Sequence, residues 1–324
     1  MKVAVTDSNF GDLDIEREVL APCNVELMEV QCSTEDELID QIPDADYIIS
    51  QYAPITARVI AELKRVKVIS RYGIGVDNID VEAASRAGIP VCNVPDYCID
   101  EVADHALALM LGLTRQVDQG TQIVRSGEWR LPTSFDNVKV LSQMVVGLVG
   151  CGRIGRQVAA RLRGFRCQLL ACDPGLTDEE ISSCGATPVS FEKLLAVSDI
   201  VSLHCPSIAS TRGIISTGTL SQMKDGALLV NVSRGDLVET SDLISALESG
   251  QVGAAALDVT NPEPLPAGHR LATFDNVIIT SHYAAVSEKA VRELRQRTAG
   301  AIACAIHGEP LLHIVNDVNG PRQV

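Results

Sequence analysis

Met144-Val-Val-Gly-Leu-Val-Gly-Cys-Gly-Arg-Ile-Gly-Arg-Gln-Val-Ala159 is the stretch from which the fold can be read. Val145 to Val149 is a short apolar run of the length of a buried strand. Gly150-x-Gly152-x-x-Gly155 then turns directly into a helix that places Ile154, Val158, Ala159 and Leu162 on one face. The three glycines serve three purposes, namely a tight turn, a close approach of backbone to a pyrophosphate, and close packing of helix on strand. The helix end adds N–H groups and a positive dipole, the first of them from Arg153 and Ile154. A lone glycine motif is weak evidence, since glycine-rich turns are common. Here a second apolar run, Gln168-Leu-Leu-Ala-Cys-Asp173, follows and ends in an acid eighteen residues after Gly155, where a carboxylate can accept both hydroxyls of a ribose. The combined pattern reads as a dinucleotide site.

Working outward, 324 residues suffice for two domains with proper cores, and 46% hydrophobic content marks a globular chain. Only 3% is aromatic, so the core is expected to be Val, Ile, Leu and Ala, the lining of parallel sheets buried on both faces. A net charge of −15 argues against a nucleic-acid surface. Ten cysteines are scattered through apolar runs with no C-x-x-C pair, which favours reduced thiols in a cytoplasmic protein over disulfides or a zinc site; no metal is expected. A strand begins almost at Met1, leaving no room for a signal peptide, and no apolar run is long enough to span a membrane.

The first hundred residues alternate strand-like runs (Val3–Thr6, Val25–Leu27, Tyr47–Ile49, Val66–Ile69, Pro90–Cys92) with helical ones around 14–20, 35–41, 56–63 and 81–87. Such alternation predicts a parallel sheet wrapped by helices. From Ile99 to about Ser126 the apolar period of Val102, Ala106, Leu109, Met110 and Leu113 predicts one long helix crossing between domains. A long connection to Gln143 follows, and it carries the only tryptophan, Trp129, as loop anchor or as dimer contact. Further strands at Ile200–His204, Ala227–Asn231, Gly253–Asp258 and Val277–Thr280 bring the second sheet to about six. The last helix, roughly 287–306, is expected to return to the first domain. The fold class is therefore α/β with two doubly wound parallel-sheet domains. A Rossmann dinucleotide-binding domain covers 101–282, and a flavodoxin-like substrate-binding domain is built from 1–100 and 283–324. Apolar surface on the crossing helix and the 127–132 connection points to a homodimer.

Ligands of open parallel sheets bind beyond the carboxyl ends of the strands. Following the strands of the second domain are His204-Cys205-Pro206, Ser233-Arg234-Gly235, Asp258 to Glu263, and His282. Taken singly, such an arginine reads as a surface ion pair and such a histidine as a polar cap. Taken together they are what reduction of a 2-keto acid requires. An arginine clamps the carboxylate bidentately, a histidine donates the proton to the carbonyl oxygen, and an acid orients that imidazole.

Asn231-Val-Ser-Arg-Gly-Asp-Leu-Val238, Leu257-Asp-Val-x-x-Pro-Glu-Pro264 and Ser281-His-Tyr-Ala-Ala285 resemble the three catalytic signatures of the D-isomer-specific 2-hydroxyacid dehydrogenases. The similarity runs from Arg71-Tyr-Gly-Ile-Gly-Val-Asp-Asn-Ile-Asp80 to Gly308-Glu-Pro310. Val94 to His105 and Ser202-Leu-His-Cys-Pro206 resemble the branch of the C-terminal-binding proteins and phosphoglycerate dehydrogenase-like enzymes. The resemblance implies Arg234 as carboxylate clamp, His282 as general acid/base and Glu263 as its partner. It implies a carboxylate pocket completed by backbone around Ile74 and Gly75, with Arg71 reaching a more distal acid. It implies NAD held by Gly150, Gly152, Arg153, Ile154, Gly155, Asp173, His204, Cys205, Pro206, Thr211, Val232, Ser233 and Asp258, with Val102 as a further contact.

Three departures stand out. Ser281 replaces the family's usual proline before the histidine, and Ala285-Val286 replaces the Trp-Tyr pair of the co-repressor branch, removing an aromatic wall. The chain also ends soon after Asp317, without the regulatory domains of many phosphoglycerate dehydrogenases. Two readings follow: an NAD-dependent oxidoreductase acting on a small D-2-hydroxy or 2-keto acid, and an NAD-sensing co-repressor with little turnover. The absent Trp-Tyr pair and disordered tail favour the enzyme.

Overall fold

The computed structural model describes residues 1–133 and 138–323. They fall into two units, Met1–Tyr97 with Ser287–Val324, and Cys98–Val286. In the first, β1 (Lys2–Val5), β2 (Glu26–Glu29), β3 (Tyr47–Ser50), β4 (Val68–Arg71) and β5 (Val91–Cys92) pair in the order β2-β1-β3-β4-β5, all parallel. Helices α1 (Asp14–Leu20), α2 (Glu35–Gln41), α3 (Ala57–Glu62) and α4 (Val81–Arg86) make the crossovers. Local sequence sets where they begin. Thr34 and Glu37 form a reciprocal capping box at α2, and Asp80 accepts the Ala83 N–H at α4. Both sheet faces are covered, which is why β3 is buried along its whole length. Ile48, Ile69 and Val91 pack toward one face, Val3, Val5 and Val68 toward the other.

The second face is closed by α12 (Glu288–His307), capped by Ser287 and ended by Gly308 at φ +71°. Arg295 on α12 is buried. Its Nε and Nη2 donate to the two carboxylate oxygens of Glu16 at 2.9 and 2.7 Å, and Nη2 also reaches Asp12. The Tyr72 hydroxyl donates to the same Glu16 at 2.8 Å. A fork of this kind leaves neither buried charge unpaired.

The second unit begins with α5 (Ile99–Arg115) and α6 (Val117–Arg125). Its strands are β6 (Val145–Val149), β7 (Gln168–Cys172), β8 (Thr187–Pro188), β9 (Ile200–Leu203), β10 (Ala227–Asn231), β11 (Val252–Leu257) and β12 (Val277–Ile279). They form a parallel sheet in the order β12-β11-β10-β9-β6-β7-β8. The crossovers are α7 (Arg153–Leu162), α8 (Asp178–Ser183), α9 (Phe191–Val197), α10 (Thr217–Leu220) and α11 (Thr240–Ser249). The direction of winding reverses between β6 and β9, so a crevice opens there at the carboxyl ends.

Several expectations from sequence are modified. The sheet has seven strands, the extra one being the two-residue edge β8, too short to carry a periodic signal. The single helix expected over 99–126 breaks at Gln116, which turns left-handed (φ +51°) as its N–H caps the carbonyls of Gly112 and Leu113. The apolar stripe ends at Leu113, and α6 buries none of its residues, so packing no longer holds the chain in one helix. Trp129 is 91% exposed and anchors nothing within the described chain. Residues 134–137 of the connection lie outside the described residues. The units part at Tyr97/Cys98 and Val286/Ser287, whereas the sequence suggests 100/101 and 282/283. Helix α5 packs against α7 and the strands β10, β11 and β12, which assigns the whole helix to this unit.

Candidate active site

The crevice is built by absence of side chains. Gly150 follows β6 at φ +96°, and a Cβ there would lie 2.7 Å from the Cys205 nitrogen in the turn after β9. A Cβ on Gly155 would lie 2.4 Å from the Gly150 carbonyl oxygen. Both are closer than atoms can approach, so only glycine lets β6, α7 and the β9 turn meet. Around Gly152, by contrast, a Cβ would meet nothing among the described residues, and none of their side chains caps the N-terminus of α7, where Arg153 and Ile154 begin the helix. The end of a ten-residue helix is thus left to an anion. Asp173, just past β7, accepts the Cys151 N–H at 2.8 Å and the Gly175 N–H at 2.9 Å. Those bonds aim its carboxylate along the glycine turn while each oxygen keeps a lone pair for a ribose hydroxyl. These features fit a dinucleotide: phosphates at the helix end, ribose at Asp173.

On the other side of the switch point, the turn after β9 holds His204, Cys205 and Pro206. Thr211 folds it back by donating to the Pro206 carbonyl at 2.6 Å and accepting from Ile208 N–H at 2.9 Å. Ser233 ties the neighbouring turn to the Cys205 carbonyl. Val232 is buried beside it, and Val102 is buried in the first turn of α5.

The adjacent strands β10, β11 and β12 end in the remaining groups. At the end of β10, buried Asn231 donates to the Arg234 carbonyl at 2.7 Å and accepts the Ser233 N–H at 3.0 Å, fixing the turn that carries Arg234. After β12, His282 Nδ1 lies 2.5 Å from Glu263 Oε1. Partial burial works against charge on Glu263. The hydrogen bond and charge of His282, the Thr260 N–H and the Arg234 guanidinium outweigh it and hold the carboxyl below the usual carboxylate range. Asp258, buried after β11, accepts from the Thr280 hydroxyl at 2.6 Å and from the Tyr283 and Ala284 N–H groups at 3.1 and 3.0 Å. Its own carbonyl accepts the His282 N–H at 2.8 Å. His282 itself sits at φ +52°, a region that side chains disfavour.

Arg71, Ile74 and Gly75 lie in the other unit, at the end of β4 and in the turn after it. The Arg71 guanidinium covers Gly73 so closely that a Cβ there would overlap it, and Asn93 donates to the Ile74 carbonyl at 2.6 Å. Sequence reasoning did not single out Asn231 or Thr280 as site residues, although Asn231 opens one of the quoted signatures and Thr280 immediately precedes another. His105, from α5, closes the quoted stretch Val94 to His105, which does not by itself mark it as a site residue.

A seven-stranded parallel sheet with a glycine cradle, an acid held along the glycine turn and a histidine–glutamate pair defines a dinucleotide-binding α/β domain of dehydrogenase type. Comparison with known proteins agrees: residues 107–284 match the family model "D-isomer specific 2-hydroxyacid dehydrogenase, NAD binding domain". The chain belongs to that family. D-3-phosphoglycerate dehydrogenase of Archaeoglobus fulgidus is 36% identical over 293 residues, covering 89% of this chain and 55% of the relative. That of Methanocaldococcus jannaschii is 37% identical over 292 residues, with 90% and 55% coverage. The chain therefore spans about half the length of the curated relatives it matches. Among solved structures, a glyoxylate reductase from Paecilomyes thermophila superposes with TM-score 0.87 at 32% identity, over 97% of this chain and 98% of that one. A D-lactate dehydrogenase from Aquifex aeolicus, complexed with NAD and lactic acid, superposes with TM-score 0.86 at 26% identity, over 95% and 96%.

His204 makes a measurable prediction. Its Nε2 pairs with Ser202 Oγ at 2.9 Å, while its buried Nδ1 meets no partner among the described residues. Burial pushes its pKa down from 6.5 to about 4. Between those values the unfolded chain binds the proton and the folded chain does not, so stability is full above pH 6.5 and falls as pH drops toward 4. The loss from this group is about 3 kcal/mol at ~1.4 kcal/mol per pH unit. Urea unfolding at pH 7 and pH 4 should show His204→Gln losing less stability than wild type by about that amount; equal losses would refute the assignment.

Proposed function

We propose that this chain is an NAD-dependent dehydrogenase interconverting a D-2-hydroxy acid and its 2-keto acid. The observation that carries the reading is the 2.5 Å contact between His282 Nδ1 and Glu263 Oε1, in the rim that also bears Arg234 after β10. Bound NAD supplies or accepts the hydride at the substrate's second carbon. The protein's own work is to hold the acid and move its proton. Arg234 offers a planar fork to the substrate carboxylate, which fixes the keto carbon in one orientation. Glu263, ionised at neutral pH, accepts a hydrogen bond from the Nδ1–H of His282, so that Nε2 is the nitrogen turned to substrate. In reduction, Nε2–H passes its proton to the carbonyl oxygen; in oxidation, Nε2 takes the proton of the hydroxyl.

Two features support NAD over NADP. The Asp173 carboxylate would repel a 2′-phosphate, and Cys172 to Leu176 offers no arginine to hold one. A homodimer fits the apolar residues left exposed between 117 and 140, namely Val117, Val124, Trp129, Leu131 and Val140, on a helix and connection that bury little themselves. A cytoplasmic location fits ten unbridged cysteines.

NADH oxidation against glyoxylate, hydroxypyruvate, pyruvate and bulkier 2-keto acids tests the reading; NADH binding without turnover on any of them would favour a nucleotide sensor instead. On the best substrate, His282→Ala should lower turnover roughly 10²–10⁴-fold with NADH binding nearly intact. Arg234→Lys should chiefly raise KM, since a point charge replaces the fork, with a loss of about 2 kcal/mol in substrate binding. Wild-type turnover in His282→Ala would place the proton donor elsewhere. With NADPH in place of NADH, catalytic efficiency should fall at least roughly tenfold, as like-charge repulsion at Asp173 requires; equal efficiencies would remove Asp173 from that role. Light scattering at micromolar concentration should give twice the chain mass, and a monomer would contradict the dimer.

A further inference from the structure

The left-handed backbone of His282 needs something to hold it, and the residues on either side of it show what does. Thr280, two residues before, gives its hydroxyl proton to Asp258 Oδ1 at 2.6 Å. Tyr283 and Ala284, following it, give their N–H groups to the two oxygens of the same carboxylate. His105 of α5 touches this arrangement from outside the strand ends. Its Nε2 lies 3.1 Å from Thr280 Oγ1 and 3.5 Å from Asp258 Oδ1. Its ring meets that of Tyr283 edge to face, centroids 5.0 Å apart at 76°. His105 is also well packed, with 13% of its side chain exposed.

The direction of these bonds is determined. The Thr280 hydroxyl has one proton, and the carboxylate of Asp258, which can only accept, receives it. Thr280 Oγ1 must then accept from His105, so the imidazole carries its proton on Nε2. The result is a one-way chain, His105 Nε2–H to Thr280 Oγ1–H to Asp258 Oδ1. It grips the segment that presents His282 at both Thr280 and Tyr283.

We propose that His105, acting through Thr280, is a positioning residue for His282. It does not touch the reacting atoms. It fixes the backbone at 280–283 so that the imidazole of His282 stays against Glu263 with Nε2 directed at substrate. The inference rests on the reading of His282 as the acid/base. It places the effect in the proton-transfer step and leaves substrate and cofactor affinity alone.

Two pairs of variants test it, each a removal and a conservative rescue. Thr280→Val keeps the shape and removes the hydroxyl, and Thr280→Ser returns the hydroxyl. His105→Phe keeps a ring against Tyr283 and removes the donor, and His105→Gln returns an N–H. Thr280→Val and His105→Phe should each lower kcat for keto acid reduction roughly 10- to 100-fold, the effect of a misplaced catalytic group. The KM for keto acid and the Kd for NADH, read by fluorescence, should stay within about twofold. Thr280→Ser and His105→Gln should recover most of the lost kcat, and the double variant Thr280→Val/His105→Phe should be little worse than either single one, because the two residues act through one bond. Loss appearing in KM, equal impairment in Ser and Val at position 280, or additive losses in the double variant would each overturn the proposal. Should His105→Phe fail to yield folded protein, the Val and Ser variants at Thr280 decide alone. His282→Ala, assayed alongside, separates the two claims. If it keeps turnover, the acid/base reading has failed; if it loses turnover while Thr280→Val matches wild type, only the positioning role has failed.

Discussion

The contact between Gly155 and the Gly150 carbonyl is the constraint on which the nucleotide-binding unit depends. A methyl group at position 155 would stand 2.4 Å from that oxygen, and one at 150 would stand 2.7 Å from the Cys205 nitrogen. Three backbone segments, from β6, α7 and β9, therefore converge with no side chain between them. The crevice beside them is bounded by main chain on both walls, and a helix end opens into it. Where backbone is this close, a ligand's phosphates are met by N–H groups whose positions are set by the fold and not by rotamers.

The rim at β10, β11 and β12 is organised differently. Two buried polar residues, Asn231 and Asp258, each hold the turn that leads to a more exposed side chain, Arg234 and His282 respectively. Asp258 is the busier of the two. A hydrogen bond to a charged group contributes about 1.5–3 kcal/mol, and a non-glycine residue in a sparsely populated backbone region costs about 1–3 kcal/mol. Three donors on one buried carboxylate therefore outweigh the strain at His282. The holders lie inside and the side chains they support lie nearer the surface, which lets His282 be accessible without being loose.

Much of this was legible in the sequence because it is periodic or local. Buried parallel strands read as apolar runs, the glycine motif lies between a strand and a helix, and Arg234, Glu263 and His282 each follow a strand. What escaped has a common cause. The break at Gln116 comes from the end of tertiary support for a helix that is locally continuous. The edge strand β8 is two residues long and takes its pairing from β7. His105 meets Thr280 across 175 positions of sequence, and nothing near either residue announces the other. Propensity and spacing see neighbours along the chain; hydrogen-bond partners are chosen by the fold.

The return of α12 to the first unit bears on how the chain is made. Glu16 leaves the ribosome long before Arg295 does, and its final environment is fully buried, with Tyr72 and the Arg295 guanidinium as partners. Arg295 emerges only after all of residues 98–286. During that interval the carboxylate would have to be buried without its counter-charge, which is strongly unfavourable. One face of the sheet, with Val68 and Tyr72, likewise lacks the Leu294, Ala299 and Ile302 that cover it. The nascent first unit thus lacks this cover and this counter-charge until the residues of the second unit have been synthesised. The guanidinium that seals the unit begun first is synthesised only after the last residue of the other unit.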